Sequence, residues 1–166
     1  LEFRRVLFRS KIIQQTIEKY QLQLQKQEGQ VHLLLNASTD TIDADEVHFT
    51  NAISNLIDNA IKYSTVDRHP IQMYIKLTTE AIVLRIQDHG IGIEPEDQKQ
   101  LFEPFHRGQN VGQRSGTGIG LSVVKNCIDL HQGTIEVCSV PSQGTCFTVT
   151  LPRYQSLASL DTDDVP

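Results

Sequence analysis

A glycine-rich stretch between residues 90 and 120 constrains the fold of this chain more than any other feature. It holds most of the ten glycines among the 166 residues, and it lacks the periodic apolar positions that a helix or strand buries. A loop of about 30 residues inside a compact domain is uncommon and usually forms a lid or a binding loop. The stretch therefore predicts a long surface loop with a lid at residues 94–115, held by the elements before and after it.

The segments that flank this loop have clear helix or strand periodicity. Apolar residues three and four apart predict helices at residues 11–28, 47–63 and 119–131, and alternating apolar residues predict strands at 31–35, 71–77, 82–86, 134–140 and 145–151. Turns at residues 79–80 and 141–144 are predicted to join neighbouring strands into hairpins. Gly133 is predicted to stop the third helix.

Three other segments show no such periodicity. Residues 1–10 alternate arginine with bulky apolar residues, fit neither period, and are interpreted as a non-native or linker segment. Residues 36–46 are polar and predict a loop, while residues 153–166 are acidic and predict a flexible tail. The globular domain is therefore predicted at residues 11–152.

Composition narrows the classes of function. The net charge of −5 argues against a nucleic-acid-binding domain held by bulk charge, whereas a nucleotide site requires only a local positive patch. No apolar run reaches the roughly 20 residues of a membrane span, and the first residues do not resemble a secretory signal. Cys127, Cys138 and Cys146 lack paired spacing, so they predict free thiols in a reducing, cytoplasmic setting and no zinc site.

Three asparagines and a lysine form a polar line along the second predicted helix. Asn51, Asn55 and Asn59 are four residues apart, and Lys62 follows three residues later. Asparagine is a poor helix former, so such a line needs a reason. Amide oxygens can ligate a hard cation, amide N–H groups can bind phosphate, and lysine adds a positive charge. The alternative interpretation is a solvated helix face.

Asp88, Gly90 and Gly92 follow a predicted strand and form a second candidate. Alternate glycines let the chain turn sharply and let its backbone approach a ligand. A carboxylate there can accept a hydrogen bond from the six-amino group of adenine, where guanine instead presents an acceptor. If Asp88 contacts a base, it should therefore favour ATP over GTP. The alternative is a plain Asp-Gly turn.

A third candidate opens the last predicted helix. Alternate glycines at residues 116, 118 and 120 expose backbone N–H groups at a helix N-terminus, which together favour phosphate binding. The pattern matches neither a P-loop nor the dinucleotide-binding fingerprint. A flexible linker is the alternative interpretation.

The segment before it carries two aromatic residues. Phe102 and Phe105 stand on either side of Pro104, which predicts a stiff apolar segment whose side chains anchor the lid on the helical layer. Arg107 follows within reach of bound phosphates. The alternative is a surface loop with buried aromatics.

In order and spacing, these segments resemble the ATP-binding domain of sensor histidine kinases, a family related to DNA gyrase, the large heat-shock chaperones and mismatch-repair ATPases. NLIDNAIKYS at 55–64 is similar to the N box, DHGIGI at 88–93 to the first glycine box, LFEPF at 101–105 to the F box, and GTGIGL at 116–121 to the second glycine box. The resemblance covers roughly residues 11–152. It implies an α+β fold of the Bergerat type: a two-layer sandwich with a mixed sheet of about five strands and about three helices on one face.

The resemblance also implies roles for particular residues. Asn59, supported by Asn55, should bind Mg²⁺, and Lys62 should meet a phosphate. Tyr63 should lie near the adenine, while Asp88 should accept from its amino group, with Thr145 close by through water. The further ATP-binding residues that the resemblance implies are Gly90, Gly92, Ile93, Phe102, Arg107, Gly116, Thr117, Gly118, Ile119, Gly120 and Leu121.

The sequence departs from the family pattern in two respects. His89 stands where the family often has Asn or Asp. None of the six histidines is followed by an acidic residue, as the family's phosphate acceptor is. They are interpreted as surface or helix-end residues, and the acceptor, with its acidic neighbour as the expected general base, is predicted to lie outside this chain.

The resemblance implies the catalytic half of a two-component sensor histidine kinase. It would transfer the γ-phosphoryl group of Mg-ATP to a histidine on a dimerisation domain, with a response regulator receiver domain as downstream partner. The isolated chain is expected to be a monomer that binds ATP without phosphorylating itself. Alternatives are a nucleotide-binding regulatory module without transfer activity and a protein-serine kinase of the anti-sigma-factor type.

Overall fold

A computed structural model of the chain describes residues 4–7, 18–20, 22, 30–35, 41–65, 70–112 and 114–153. Residues 18–20 and 22 are helical, in agreement with the predicted first helix, whose other residues lie outside the described part. The remaining elements, in chain order, are β1 (Arg4–Leu7), β2 (Gln30–Leu35), β3 (Thr41–Ala44), α1 (Glu46–Tyr63), β4 (Gln72–Leu77), β5 (Ala81–Gln87), α2 (Pro95–Gln98), a 3-10 helix (Gln109–Val111), α3 (Gly120–Leu130), β6 (Thr134–Val140) and β7 (Gly144–Pro152).

The main sheet has five strands in the order β2-β4-β5-β7-β6. β2 runs parallel to β4, whereas the other neighbouring strands are antiparallel. The sheet is therefore mixed, and the two predicted hairpins are confirmed as β4–β5 and β6–β7. In the first turn, Thr78 Oγ1 accepts a hydrogen bond from the backbone N–H of Ala81 at 3.0 Å.

One face of this sheet is buried under the helices. Alternate residues of β4, β5 and β7 are buried, as period-two side-chain alternation requires. α1 and α3 contribute apolar stripes to the same core, which includes Phe49, Ile57, Val124 and Ile128. The predicted two-layer α+β sandwich is therefore confirmed.

Asp45 fixes the start of α1. Its carboxylate accepts from the backbone N–H groups of Val47 and His48, both at 3.0 Å, and so satisfies two donors that the first turn leaves free.

Within the described residues, no helix is long and apolar enough to cross a membrane.

The prediction that residues 1–10 and 36–46 lack regular structure was wrong in part. β1 pairs antiparallel with β3, from Arg4 opposite Ala44 to Leu7 opposite Thr41, and forms a separate two-stranded sheet. Each strand is only four residues long, so neither shows a readable period by itself. Each strand also pairs with a partner that is far away in sequence. The non-native origin of residues 1–10 remains a prediction.

The end of α3 also differs from the prediction. Gln132, rather than Gly133, adopts the left-handed conformation, with φ 55°. The N–H of Gly133 then donates to the carbonyl of Ile128 at 2.9 Å, the pattern of a Schellman cap. A Cβ on Gly133 would lie 2.3 Å from Leu151 Cδ2, so this glycine permits close packing of the helix end on β7.

Candidate functional site

A cavity opens between α1, the lid, the start of α3 and the adjacent ends of β5 and β7. Its volume is about 250 Å³, close to the range of small-molecule sites. The predicted site residues that line it are Asn55, Asn59, Lys62, Tyr63, Asp88, Gly92, Ile93, Arg107, Gly116, Thr117, Gly118, Gly120, Leu121 and Thr145. The four motifs, dispersed along the sequence, therefore meet around one cavity.

Asp88 lies at the sheet end of the cavity. It directly follows β5, is 5% exposed, and holds β7 through a backbone hydrogen bond from its N–H to the carbonyl of Thr145 at 2.9 Å. Its Oδ1 accepts from the N–H groups of Gly90 at 2.8 Å and Thr145 at 3.3 Å. No donor among the described residues is seen at Oδ2, so this oxygen can serve a ligand.

Burial dominates the chemistry of this carboxyl group. It raises the pKa of Asp88 to about 6, because the charged form loses water, while the hydrogen bonds from Gly90 and Thr145 act in the opposite direction. The group therefore remains ionised at neutral pH and can accept a hydrogen bond inside a desolvated pocket.

Ser139 is a supporting residue that the sequence did not reveal. Its hydroxyl lies 2.9 Å from Thr145 Oγ1, and it accepts from the N–H of Ile93 at 2.9 Å. One hydroxyl on β6 thus connects the base of β7 to the loop after Asp88. A serine in a strand carries no local signal of such a role.

Two glycines let this loop pack closely against its neighbours. A Cβ on Gly90 would lie 1.9 Å from the carbonyl oxygen of Tyr63, and one on Gly92 would lie 2.1 Å from that of Val140. Gly92 also has φ 67°, a conformation that favours glycine. Gly90 does not line the cavity, and it places Asp88 by bringing the loop against the end of α1. Its contact with ATP remains a prediction.

Three residues of the polar line on α1 line the cavity, namely Asn55, Asn59 and Lys62. Asn55 Nδ2 donates to the carbonyl of Asn51 at 2.9 Å, which leaves its oxygen for other partners, whereas Asn51 itself is exposed outside the cavity. A Cβ on Gly120 would lie 2.8 Å from Asn55 Oδ1, so the start of α3 passes directly over this amide. Lys62 Nζ lies 4.7 Å from the centre of the Tyr63 ring, within the range of a cation–π contact.

The amide oxygens that α1 presents to the cavity suit the Mg²⁺ that the resemblance implies. Mg²⁺ is typically held by one or two protein oxygens together with substrate phosphates and water. Asn55 Oδ1 and the amide of Asn59, which both line the cavity, would fit such a sparse set of ligands. Among the described residues, no group of three or more His, Cys, Asp or Glu side chains could hold a metal without a substrate.

The second glycine-rich segment closes the other side of the cavity. Gly118 has φ 75°, and its carbonyl accepts from the N–H of Phe105 at 3.0 Å. Ile119, predicted to contact ATP, precedes α3 and does not line the cavity. Its side chain is partly exposed, so the glycines beside it form the cavity wall instead.

The two phenylalanines have different positions from those predicted. Phe102 packs against the core but does not line the cavity, so it supports the site from outside. Phe105 is 73% exposed with φ 67°, so the prediction that its side chain anchors the lid was wrong. The turn at Phe105 uses the backbone N–H to bind Gly118 and directs the ring away from the core.

Side-chain hydrogen bonds connect the described residues of the lid to one another and to the loop after Asp88. Asp97, 6% exposed, accepts from the N–H of Gln109 at 3.0 Å and lies 3.3 Å from His106 Nε2. Asn110 Nδ2 donates to the carbonyl of Gly92 at 3.0 Å, and Arg107 donates to the carbonyl of Arg114 at 2.5 Å. Asp97 and Asn110 were missed from sequence because a single polar residue in a helix of only three or four residues gives no pattern.

The histidines were predicted to be surface or helix-end residues, and His131 stands at a helix end but is buried. His131, at the end of α3, is 1% exposed; its Nε2 accepts from the N–H of Asp45 at 3.0 Å, and its Nδ1 lies 2.7 Å from the carbonyl of Cys127. It therefore joins the end of α3 to the start of α1. The side chain of His106 is 18% exposed and lines the cavity from the lid.

The further residues that line the cavity are Asp58, Ile91, Asp97, Leu101, His106, Gly108, Asn110, Val111 and Phe147. None had been assigned to the site from sequence, although Leu101 belongs to the F-box segment and Asp58 to the N-box segment. Asp58 lies between Asn55 and Asn59, and a count of helix spacing from that polar line would have brought it into consideration.

Comparisons with known proteins agree with this site. Residues 44–155 match the family model described as histidine kinase-, DNA gyrase B-, and HSP90-like ATPase. The chain belongs to this family. Its fold and sequence are those of the ATPase-type catalytic domain of sensor histidine kinases, as the resemblance had implied.

Individual relatives and structures support that assignment. The chain is 35% identical to sensor protein RprX of Bacteroides fragilis over 89% of its own length and 29% of the relative's. It is 40% identical to the adaptive-response sensory kinase SasA of Crocosphaera subtropica, over 68% of the chain and 29% of the relative. The chain thus spans about three tenths of these relatives.

Solved structures show the same fold. The catalytic domain of histidine kinase ThkA aligns with a TM-score of 0.76 at 20% identity, covering 93% of this chain and 100% of that one. Full-length ShkA in complex with AMPPNP aligns with a TM-score of 0.71 at 21% identity, covering 92% of this chain and 31% of that one.

Proposed function

We propose that this chain binds Mg-ATP in the cavity and presents its γ-phosphoryl group to a histidine on a dimerisation domain outside the chain. The observation that carries the proposal is the polarity of the cavity: a buried carboxylate at the sheet end, and amides, a lysine and glycine backbone at the other. Adenine and triphosphate require this pairing of acceptor and donors. The downstream partner would be a response regulator receiver domain, in the cytoplasm.

The proposed site residues form two groups, one for adenine and one for the phosphates and Mg²⁺. Asp88 accepts from the adenine amino group, with Thr145 beside it, because its Oδ1 is already held by backbone and its Oδ2 remains for the base. Lys62 and the N–H groups at 116–120 neutralise phosphate charge, and α3 adds the positive end of its dipole. Asn55 and Asn59 would hold Mg²⁺, which supplies charge neutralisation on the phosphate oxygens when bound.

Such a site contributes mainly positioning and electrostatic stabilisation. Phosphoryl transfer needs little covalent chemistry from the protein beyond an in-line arrangement of acceptor and donor. The cavity residues hold the nucleotide, and the proton of the accepting histidine goes to a base outside this chain. The proposed role is therefore to orient one substrate and shield its charge.

Asp88→Asn tests the adenine end. The variant replaces an acceptor by a group that also presents donors, so ATP and ADP affinity should both fall roughly ten- to a hundredfold, the effect of losing a charge-assisted hydrogen bond of about 1.5–3 kcal/mol. Isothermal titration with ATP, ADP and GTP, with and without Mg²⁺, measures this. Asp129→Asn removes the same charge from an exposed site on α3 and should bind like the parent. Equal ATP affinity in Asp88→Asn and the parent, with folding intact, would reduce Asp88 to a turn residue.

A transfer assay tests the kinase role itself. The isolated chain should bind labelled ATP but acquire no acid-labile label, because none of its histidines has an acidic neighbour in the following position. Added histidine-bearing dimerisation domain should become labelled, and the label should disappear when Asp88→Asn replaces the parent chain. Stoichiometric phosphohistidine on the isolated chain, or ATP binding without labelling of the supplied domain, would contradict the proposal.

A further inference from the structure

The face of the main sheet opposite the helices carries two cysteines side by side. Cys138 on β6 and Cys146 on β7 are directly opposite each other in the antiparallel register. Cys138 is exposed and Cys146 half-buried, and both are free thiols. Directly opposed residues share a face of the sheet, so both sulfurs lie on the open side, away from the cavity.

Their backbone separation already suits a disulfide. Opposed residues in antiparallel strands have Cα atoms about 4.5 or 5.5 Å apart, depending on the hydrogen-bonding pattern. Disulfides usually span Cα separations of roughly 4.4–6.8 Å. The two sulfurs can therefore bond without a change of strand register.

Arg85 gives this pair its second distinguishing feature. Its Nε lies 2.9 Å from Cys146 Sγ and donates toward the sulfur, and its Nη2 donates to Gln87 Oε1 at 3.3 Å. The guanidinium thus provides a donor and a positive charge for that sulfur when it reacts as a thiolate, the nucleophilic form.

Cys127 has the opposite environment. It is 2% exposed on the buried face of α3, and burial raises the pKa of its thiol to about 12. It is a matched internal control, because the same chain carries one thiol that should stay inert while the folded state persists.

We propose that Cys138 and Cys146 form a dithiol modification site for low-molecular-weight disulfides such as glutathione disulfide. The Cys138 thiolate attacks one sulfur of the reagent, forms a mixed disulfide and releases one thiolate. The Cys146 thiolate then attacks the Cys138 sulfur, the intramolecular bond forms, and a second thiolate leaves. The two cysteine protons pass to the two released thiolates, so one disulfide is reduced as another forms.

The test uses the reduced chain and glutathione disulfide. After acid quenching and alkylation, intact mass should show the loss of two hydrogens, and peptide mapping should place the bond between Cys138 and Cys146. Cys138→Ser and Cys146→Ser should each lose the crosslinked species completely and carry one glutathione instead. Cys127→Ser should close like the parent.

A comparison with the unfolded chain shows whether the fold promotes the crosslink or whether closeness in sequence alone accounts for it. In urea the strand register is absent, so the yield of the Cys138–Cys146 crosslink should fall relative to the folded chain. Equal yields in the two states, stable glutathione adducts on both cysteines of the folded chain, or crosslinks that include Cys127 or a second molecule would each overturn the proposal.

Discussion

At the scale of single residues, Asp88 shows how its surroundings fix the position of an ordinary carboxylate. The carboxylate is positioned by backbone N–H groups from its own loop and from β7, so one oxygen is fixed before a ligand arrives. Its position after an alternating strand and before two glycines made it predictable from sequence. The hydroxyl of Ser139 that supports Thr145 was not predictable, because its role depends on a strand pairing that local sequence does not encode.

The raised pKa of Asp88 predicts a pH dependence of folding stability. The folded-state pKa of about 6 lies above the ordinary 3.8, so the folded state holds this proton more tightly. The stabilisation from that proton is complete below about pH 4 and is lost as pH rises through about 6; it amounts to about 2–3 kcal/mol. Asp88→Asn cannot ionise and should lack this component.

Urea unfolding of parent and Asp88→Asn between pH 4 and 7.5 measures the difference. The free energy of unfolding of the variant should gain on the parent as pH rises, most steeply between about pH 4 and 6, where the folded state holds the proton and the unfolded state has lost it. Curves that stay parallel over this range would show that the carboxyl group titrates normally in the folded chain. Asp129→Asn is again the control, because its carboxylate is half exposed.

At the scale of elements, α1 and α3 are joined end to end by a buried histidine. His131 accepts from the N–H of Asp45, the residue that caps α1, and its ring lies 6.3 Å from that of Phe49. The interaction couples the end of the helix that follows the lid with the start of the helix that carries Asn55, Asn59 and Lys62.

His131→Ala should therefore destabilise the fold substantially. It removes a buried ring and leaves the part-buried N–H of Asp45 without this acceptor, which together cost about 2–4 kcal/mol. Chemical denaturation measures the loss. His48→Ala is the matched control, since the His48 side chain is 50% exposed and contacts the same residue, Asp45, from the surface. Equal losses in the two variants would show that neither the packing of the His131 ring nor its hydrogen bond to Asp45 stabilises the fold.

Two glycines with left-handed backbone provide a matched test of the segment that closes the cavity. A Cβ on Gly118 would lie 2.7 Å from the carbonyl oxygen of His106, whereas one on Gly112 would have no atom of the described residues within 4 Å. Both substitutions to alanine strain the backbone by about 1 kcal/mol or more. Only Gly118→Ala also forces the segment away from Phe105 and His106.

ATP titration distinguishes the two variants. Gly118→Ala should weaken ATP binding severalfold beyond Gly112→Ala, because the displaced segment carries the predicted phosphate-binding N–H groups. Similar affinities in both variants would mean that the position of this segment is not needed for binding. Thermal unfolding is the companion measurement, since it reports the strain common to both.

At the scale of the whole molecule, periodicity and motif order predicted most of the architecture. The α1 stripe, both hairpins and the separate strands follow from apolar spacing and turn residues, which are local properties. The mixed sheet of about five strands was implied by the family resemblance, because the pairing of distant strands is not a local property. The β1–β3 pair was missed because four-residue strands carry little pattern. The exposure of Phe105 was missed because its direction depends on a backbone turn with positive φ, which hydrophobicity does not reveal.

The two ends of the cavity differ in how they are built, and this has a kinetic consequence. Asp88 and Thr145 are locked together by reciprocal backbone and side-chain hydrogen bonds at the edge of β5 and β7, whereas the far end depends on the segment around Gly118, held through the N–H of Phe105. With the proposed roles, discrimination between purine bases would take place on a surface that exists before encounter, while residence time would depend on how often the outer segment opens. Lengthening the phosphate chain from AMP to ATP should accordingly slow departure of the ligand far more than it speeds arrival.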